Sequence, residues 1–256
     1  MNPFYALYSV FSYSLFLLSF LYAVGFVDNL VVPKTLDLPV ASGGFTAFCI
    51  DTLVLAAFGA QHSLMARPSF KRWWVRFVPA AIERSTYVLF SSVFLCLIFV
   101  LWQPMPAKIW DVSGTWGAPL LLTIYMMGWL IVLLSSFMIS HFELFGLTQA
   151  WRRTRDLAPS DSAFKEVLFY RFVRHPIMLG FFVAAWATPT MTLGHLVFAM
   201  LLSAYIFIGV RLEEHDLVQK LGDTYLSYRA RVPMLIPMRM GARRFSNTAA
   251  SEKVNR

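Results

Sequence analysis

The sequence predicts an all-α polytopic membrane protein with four transmembrane helices followed by a C-terminal helical hairpin, about six membrane segments in all. Three observations indicate this fold class. Hydrophobic residues make up 58% of the 256 residues and charged residues only 14%, whereas soluble domains have about 25% charged residues. Apolar runs near the ~20 residues that cross a bilayer recur along the chain. Basic residues cluster in alternate connecting segments.

The first four helices, within residues 1–140, are predicted from apolar runs. No charged side chain precedes Asp28. The opening run lacks the basic start and the small-residue cleavage site of a signal peptide, which indicates a retained helix. Further spans are predicted at about 45–65, 86–103 and 118–140, each close to the length that a membrane helix needs.

The hairpin is predicted from the apolar run between Ile177 and Val210, which is too long for one membrane helix. Pro189 and Gly194 interrupt this run and divide it into two helices. Residues 141–237 are expected to form one module around the hairpin at 177–210. Residues 238–256 are expected to form a basic, disordered tail.

Cysteine and histidine usage excludes some kinds of site. Cys49 and Cys96 lie within apolar runs, which predicts small buried apolar side chains rather than a disulfide. The five histidines and two cysteines never group at the spacing of metal ligands, so no metal site is expected.

The basic residues predict that both termini lie in the cytoplasm. Of 22 lysines and arginines, 20 lie in segments 66–85 and 141–176 or after position 210, and Lys34 and Lys108 lie in the alternate loops. This distribution follows the positive-inside rule. We therefore expect an integral protein of the bacterial inner membrane. The net charge of +8 then reflects topology, and no nucleic-acid partner is expected because the basic residues line membrane edges.

Polar clusters adjoin both ends of the hairpin. Arg174, His175 and Pro176 precede it, and Glu213 and Glu214 follow it. A hairpin returns the chain to the side where it began, so the two clusters become neighbours. Arg174 and Pro176 alone could simply anchor and begin a helix. Carboxylates at a membrane helix end need a partner, however, and a ligand with hydroxyl groups and a positive charge would supply one.

The segment after the hairpin is expected to pack against the protein rather than form a loose tail. Gly222 is expected to end the last helix. Tyr225 and Tyr228 mark the packed segment that follows. The helix residues expected to face the apolar interior are Leu217, Val218 and Leu221.

The pattern RHPxxxG, the hairpin and EExxLxxxxGxxYxxYxxxVPxxIP together resemble the C-terminal cofactor module of the isoprenylcysteine carboxyl methyltransferase superfamily. Members of this superfamily are membrane enzymes that use S-adenosyl-L-methionine. The resemblance covers roughly residues 165–237 and implies a cytoplasmic cofactor module. Met178 departs from the pattern, because many relatives have tyrosine there. The implied cofactor-binding residues are Tyr170, Arg174, His175, Pro176, Gly180, Glu213, Glu214, Tyr225 and Tyr228.

The upstream chain resembles the methanethiol S-methyltransferase family. The segments that carry this resemblance are GFVDNLVVPKTLD, QHSLMARPSFKRWW, ERSTYVLFSS, SHFELFGLTQAW and TPTMTLGH. The resemblance spans nearly the whole chain. It implies methylation of a small thiol, methanethiol to dimethyl sulfide, by in-line transfer in a membrane-embedded pocket open to the cytoplasm. Composition and spacing alone do not identify a thiol.

The thiol must lose a proton, because thiols with a pKa of about 8.5 are largely protonated at neutral pH. Candidate catalytic residues lie at the cytoplasmic ends of the helices, where each could instead form only an interhelical hydrogen bond. These candidates are His62, Glu83, Arg84, His141 and Glu143. Asp51 lies nearer the outer face and is expected to bond to another helix.

Two alternatives to a thiol methyltransferase remain. A prenylcysteine or phospholipid could be the methyl acceptor, which would require a lateral opening for a lipid tail. The chain could also be a non-catalytic membrane protein of respiratory metabolism. The expected partners are a small thiol and membrane lipid, and no obligate protein partner is indicated.

Overall fold

A computed structural model describes residues 3–39, 44–158 and 166–237 of the chain. The predicted tail at 238–256 lies outside the described residues. Within them the chain forms ten α-helices and two short strands: α1 (Phe4–Val27), α2 (Phe45–Ala66), α3 (Pro68–Trp74), α4 (Glu83–Leu101), β1 (Lys108–Asp111), α5 (Gly117–Ile139), α6 (His141–Leu144), α7 (Leu147–Thr154), α8 (Pro176–Trp186), β2 (Thr190–Thr192), α9 (Leu193–Leu221) and α10 (Asp223–Arg231).

Five of the described helices, α1, α2, α4, α5 and α9, are long and apolar enough to cross a membrane. This confirms a helical membrane protein. The predicted hairpin is also present, because α8 ends at Trp186 and α9 begins at Leu193. Helix α8 has 11 residues, which at 1.5 Å per residue gives a length of about 16 Å, roughly half of a bilayer core. The count of six membrane segments therefore stays a prediction.

The apolar helices pack as a closed ring. Helix α4 lies between α1 and α2, α2 contacts α9, α9 contacts α8, and α8 packs extensively on α5. Tyr125 of α5 closes the ring by donating a hydrogen bond to the carbonyl of Val24 in α1. The aromatic side chain of Phe20 in α1 also packs edge-to-face against Trp129 of α5, with ring centroids 5.2 Å apart.

One end of the ring carries a small polar layer that the all-α prediction missed. Strands β1 and β2 pair antiparallel between the ends of neighbouring helices. Thr188 donates to Asp28 at 2.7 Å, and Thr192 donates to Asp37 at 2.5 Å. Backbone groups just beyond helix ends lack helical partners, so a strand pairing satisfies them. The opposite end gathers α3, α6, α7 and α10.

Two side-chain predictions for the spans had different outcomes. Asp51 is fully buried and accepts a hydrogen bond from the backbone nitrogen of Gln103 at 2.8 Å. Gln103 lies two residues after the end of α4, so the bond joins α2 to the segment that follows a neighbouring helix and not, as predicted, to the helix itself. The prediction of buried cysteines was wrong, because Cys49 is exposed and Cys96 is partly exposed, although both are free thiols. Lipid tails are as apolar as a protein core, so apolar sequence does not require burial inside a membrane protein.

Candidate functional site

The chain folds back on itself at the start of α8. His175 caps this helix and Pro176 occupies its first position, where the missing N–H costs no hydrogen bond. The backbone nitrogen of Arg174 donates to the carbonyl of Pro233 at 2.9 Å, and that of His175 donates to Met234 at 3.2 Å. The segment after α10 therefore fixes the two residues that precede α8.

The side chains of Arg174 and Glu214 form a buried ion pair, which confirms the predicted proximity of the two ends of the hairpin. Arg174 Nε donates to Glu214 Oε1 at 2.6 Å, and the two side chains are 9% and 6% exposed. A guanidinium nitrogen of Arg174 also donates to the carbonyls of Arg229 and Val232. His175 Nε2 lies 3.2 Å from the same Glu214 oxygen. Glu214 is thus engaged by the protein itself and holds Arg174 and His175 in place.

Glu213 differs from its neighbour because its side chain remains 49% exposed. Its Oε2 atom lies 3.5 Å from His175 Nδ1. Tyr205, eight residues earlier on the same face of α9, meets the imidazole of His62 on α2 edge-on, with ring centroids 6.4 Å apart. Glu213 is therefore an accessible acidic residue beside the Arg174 pair, on the helix face that also contacts His62.

The charge state of His175 depends on these two carboxylates. Burial disfavours the imidazolium, but hydrogen bonds and charge attraction from Glu213 and Glu214 outweigh burial and raise the pKa of His175. The resulting stabilisation is fully present below the ordinary histidine pKa of about 6.5 and is lost as pH rises through the raised pKa. Acidic conditions therefore strengthen this cluster until the carboxylates themselves are protonated.

The tyrosines of α10, the helix after α9, support the cluster of Arg174, His175 and Glu214. Gly222 has φ of +55° and ends α9, a conformation that glycine adopts readily. Tyr225 and Tyr228 are almost fully buried. The Tyr228 hydroxyl donates to the Tyr170 carbonyl at 2.6 Å, and burial raises the pKa of Tyr228 to about 12, so this donor stays protonated. The predicted packed segment is confirmed, since this group packs against Leu217, Val218 and Leu221.

His62 forms a second polar group, on α2. Its Nε2 atom hydrogen-bonds to the Tyr87 hydroxyl at 2.6 Å, and its Nδ1 atom hydrogen-bonds to the Ser91 hydroxyl at 3.2 Å. The imidazole stacks on Phe58 with centroids 5.4 Å apart, and Tyr205 lies edge-on at 6.4 Å. His62 is therefore surrounded by aromatic rings and bonded through both ring nitrogens.

Arg84 and Glu83 lie beside this group at the start of α4. The Arg84 guanidinium lies 5.0 Å from the centroid of the Tyr87 ring, and its Nε atom donates to the Leu144 carbonyl at 2.7 Å. Glu83 precedes Arg84 as the first residue of α4. Arg84 thus contacts the His62 group, and Glu83 lies next to Arg84 in the chain.

His141 lies in a different place, between α1 and α5. Its ring nitrogens hydrogen-bond to Tyr13 and to Ser136, both at 2.8 Å. The imidazole is buried and stacks on Phe137 with centroids 4.1 Å apart. Burial lowers the pKa of His141, so it stays neutral. Glu143 lies next to it on α6. These two candidates occupy an interhelical contact rather than the surroundings of Glu213.

Gly180 also lies apart from the polar cluster. A Cβ atom on Gly180 would come within 2.6 Å of the Gly128 carbonyl oxygen, and one on Gly128 would come within 2.8 Å of the Gly180 carbonyl oxygen. These two glycines let α5 and α8 approach backbone to backbone, as small residues do at membrane helix interfaces. The structure thus places Gly180 in helix packing, although the sequence pattern groups it with the cofactor residues.

We expect Gly180→Ala to lower stability by about 1–3 kcal/mol, because the added methyl group overpacks the contact between α5 and α8. Thermal unfolding of the detergent-purified protein measures this change. Gly114→Ala is the matched control, since a Cβ atom there meets no heavy atom within 4 Å. An unchanged melting temperature combined with weaker cofactor binding would show that Gly180 belongs to the cofactor site instead.

Sequence reasoning missed Ser91 and Tyr205. A signal was available for Tyr205, because it precedes Glu213 by eight residues, and positions four and eight apart share one face of a helix. Ser91 lies inside a span and only its contact with His62 identifies it. Within the described ranges, no group of three or more histidine, cysteine, aspartate or glutamate residues could hold a metal ion.

Comparisons with known proteins give full-length relatives. The protein named Methanethiol S-methyltransferase 2 from Bradyrhizobium diazoefficiens is 49% identical over 247 residues, 96% of this chain and 95% of that protein. A protein named Methanethiol S-methyltransferase from a Pseudomonas species is 50% identical over 236 residues, covering 91% and 90% of the two chains. One of the same name from Mycobacterium tuberculosis is 50% identical over 231 residues, covering 90% and 95%. No protein-family model and no solved structure matches the chain.

Proposed function

The chain belongs to the methanethiol S-methyltransferase family, and we propose that it methylates methanethiol to dimethyl sulfide with S-adenosyl-L-methionine as methyl donor. It is therefore a membrane-bound thiol methyltransferase. The assignment of methanethiol as substrate rests on sequence identities of 49–50% to three proteins of that name, each of which aligns with at least 90% of this chain. The geometry supports a reaction site because one face of α9 carries both Glu213, which lies 3.5 Å from His175, and Tyr205, whose ring meets His62.

The residues around Glu213 fit S-adenosylmethionine, whose polar groups are an ammonium, a carboxylate and two ribose hydroxyls. Glu213 offers an accessible anion that can accept from the ammonium or the hydroxyls. Arg229 offers an accessible cation for the carboxylate, since its side chain is 52% exposed while its Nε atom lies 3.5 Å from Glu214. The buried pair of Arg174 and Glu214 then acts as the rigid support of these two groups. Preformed charges bind without a reorganisation cost.

His62 is the residue that we assign as proton acceptor. When bound, S-adenosylmethionine supplies a methyl group on a positive sulfur; the thiolate sulfur forms the new bond to that carbon, the old carbon–sulfur bond leaves its electron pair on the cofactor, and the thiol proton needs an acceptor. The hydroxyls of Tyr87 and Ser91 connect to the ring nitrogens of His62, so a proton taken up at either hydroxyl can pass to the imidazole.

The aromatic rings around His62 have a separate role. Phe58 and Tyr205 cover the imidazole on the side of α9 and exclude water from it. During methyl transfer the negative charge of the thiolate and the positive charge of the sulfonium neutralise each other. A site without water favours this step, because the two separate charges are poorly solvated there before the reaction. Arg84 over the Tyr87 ring holds the phenol that bonds to His62.

A lipid methyl acceptor is the alternative that an experiment must distinguish from methanethiol. An apolar groove of about 270 Å³ lies between α1, α6 and α7 and is lined by residues that include Val10, Phe142 and Trp151. None of the residues that line this groove contacts His62, so a lipid tail held there would not reach the proposed proton acceptor through them. The non-catalytic role in respiratory metabolism has no supporting feature within the described residues.

The test is incubation of the purified protein with methyl-labelled S-adenosylmethionine and a panel of acceptors. The panel comprises methanethiol, larger alkyl thiols, a prenylcysteine and phosphatidylethanolamine. We expect label in volatile dimethyl sulfide, identified by gas chromatography and mass spectrometry. Label in a lipid product would replace the thiol with a larger acceptor, and binding of the cofactor without any labelled product would support a non-catalytic protein.

We also propose that both termini and the Glu213 cluster face the cytoplasm of a bacterial inner membrane. Twenty of 22 basic residues lie in the sequence segments 66–85 and 141–176 or after position 210, and the positive-inside rule favours the cytoplasm for these segments. Reporter fusions near positions 75, 160 and 245 are expected to give a cytoplasmic signal, and fusions near 36 and 112 an external one. A cytoplasmic signal at 112 contradicts the assignment of the spans.

A further inference from the structure

Three residues of α9 lie on the helix face that meets α2. Tyr205, Gly209 and Glu213 are spaced four apart, so they follow one another along one face. A Cβ atom on Gly59 of α2 would come within 2.9 Å of the Tyr205 ring. Tyr205 therefore packs against α2, and its ring also meets the imidazole of His62, one turn further along α2, with centroids 6.4 Å apart. Gly209 lies one turn after Tyr205 and one turn before Glu213.

Gly209 opens onto empty space. A Cβ atom built on Gly209 meets no heavy atom within 4 Å, apart from its own helix backbone and chain neighbours. The other glycines within helices of the described ranges each bring such an atom within 3.2 Å of a neighbour. Glycine costs a helix about 1 kcal/mol relative to alanine. Helix packing explains glycine at Gly59, Gly128 and Gly180, but it does not explain Gly209.

We propose that the space over Gly209 is the methanethiol subsite, with the Tyr205 ring as the wall that limits the size of the thiol. This inference rests on the proposed function. The space lies on the face of α9 that carries Tyr205 one helical turn before Gly209 and Glu213 one turn after it. Sulfur makes favourable contacts with aromatic rings, and methanethiol has only two heavy atoms. A glycine at the centre of this face leaves room for them, whereas any side chain there would take the same volume.

The main test is Gly209→Ala, with the kinetics of methanethiol methylation and the affinity for S-adenosylmethionine measured separately. We expect kcat/KM for methanethiol to fall at least ~tenfold, equivalent to about 1.4 kcal/mol. Cofactor affinity by calorimetry is expected to stay unchanged. The melting temperature is expected to stay equal or rise, because alanine favours the helix and meets no neighbouring atom. Gly114→Ala, in an open loop at the other end of the ring, is the control and should leave all three quantities unchanged.

A second variant tests whether the Tyr205 ring limits the size of the thiol. Tyr205→Leu removes the outer part of the wall and keeps an apolar side chain. We expect the ratio of kcat/KM for propanethiol to that for methanethiol to rise at least ~tenfold. Gly209→Ala should move this ratio in the opposite direction.

The possible negative results distinguish an error in the proposed function from an error in the proposed subsite. A wild-type protein that methylates no thiol contradicts the proposed function. A wild-type protein that makes dimethyl sulfide while Gly209→Ala does so equally well contradicts the subsite and shows that Gly209 faces lipid. Weaker cofactor binding in Gly209→Ala at unchanged KM for methanethiol also contradicts it, because the space would then hold the cofactor.

Discussion

Glu214→Ala is expected to abolish binding of S-adenosylmethionine and to lower the free energy of unfolding by about 3–5 kcal/mol, as breaking a buried ion pair does. Arg174 donates to Glu214 at 2.6 Å with both side chains almost fully buried. Removal of the carboxylate leaves the guanidinium buried with two carbonyl partners and no counter-charge. His175 loses its shortest carboxylate contact at the same time. Calorimetry and thermal unfolding measure the two effects.

Two further variants show whether the loss arises from this pair. Glu166→Ala breaks an exposed ion pair, in which the side chains of Glu166 and Arg231 are 31% and 61% exposed. Exposed pairs contribute only about 0–1 kcal/mol.

Arg174→Lys keeps the charge, but one ammonium cannot reproduce the guanidinium contacts with Glu214, Arg229 and Val232. We expect Arg174→Lys to insert into the membrane normally and to lose at least ~tenfold in affinity or turnover. Wild-type methylation by Arg174→Lys would reduce Arg174 to an interfacial anchor.

His62→Gln is expected to lower kcat for methanethiol by about 10²–10⁴, the usual contribution of a general base. Glutamine can keep hydrogen bonds to Tyr87 and Ser91 but cannot take up a proton at neutral pH. The affinity for S-adenosylmethionine is expected to stay unchanged, because the cofactor contacts assigned here are on Glu213 and Arg229. The dependence of kcat/KM on pH should also flatten in this variant.

His141→Gln is the matched comparison for His62→Gln. His141 bonds to Tyr13 and Ser136 between α1 and α5, so its replacement should lower the melting temperature with little effect on the chemical step. If His141→Gln instead loses turnover at full stability while His62→Gln remains active, the assignment of the proton acceptor is reversed. Equal and small effects of both variants would exclude both histidines as the proton acceptor.

The sequence predicted the parts of the fold that follow from solvation. A side chain in a bilayer must be apolar or paired, so the spans, the division of the hairpin at 187–195 and the sorting of basic residues are visible without coordinates. The approach of Arg174 to Glu214 also followed, because a hairpin returns to its starting side. The bounds of α8 and α9 followed as well, because Pro176, the break at 187–195 and Gly222 mark their ends. Whether the 11 residues of α8 cross the membrane did not follow, because an apolar run gives no measure of how deep a short helix lies.

The sequence by itself thus determined a helical membrane protein with two polar clusters at one end, and its resemblance to known families identified the thiol. Tertiary structure alone decided which polar residues work together. Glu213 and Glu214 are adjacent in sequence, yet a rotation of about 100° per helical residue turns one towards an accessible site and the other into a buried ion pair. The same geometry assigns Gly180 to helix packing, His141 to an interhelical contact and His62 to a contact with Tyr205 of α9, because which helix faces meet is set by packing between distant segments and not by local residue type.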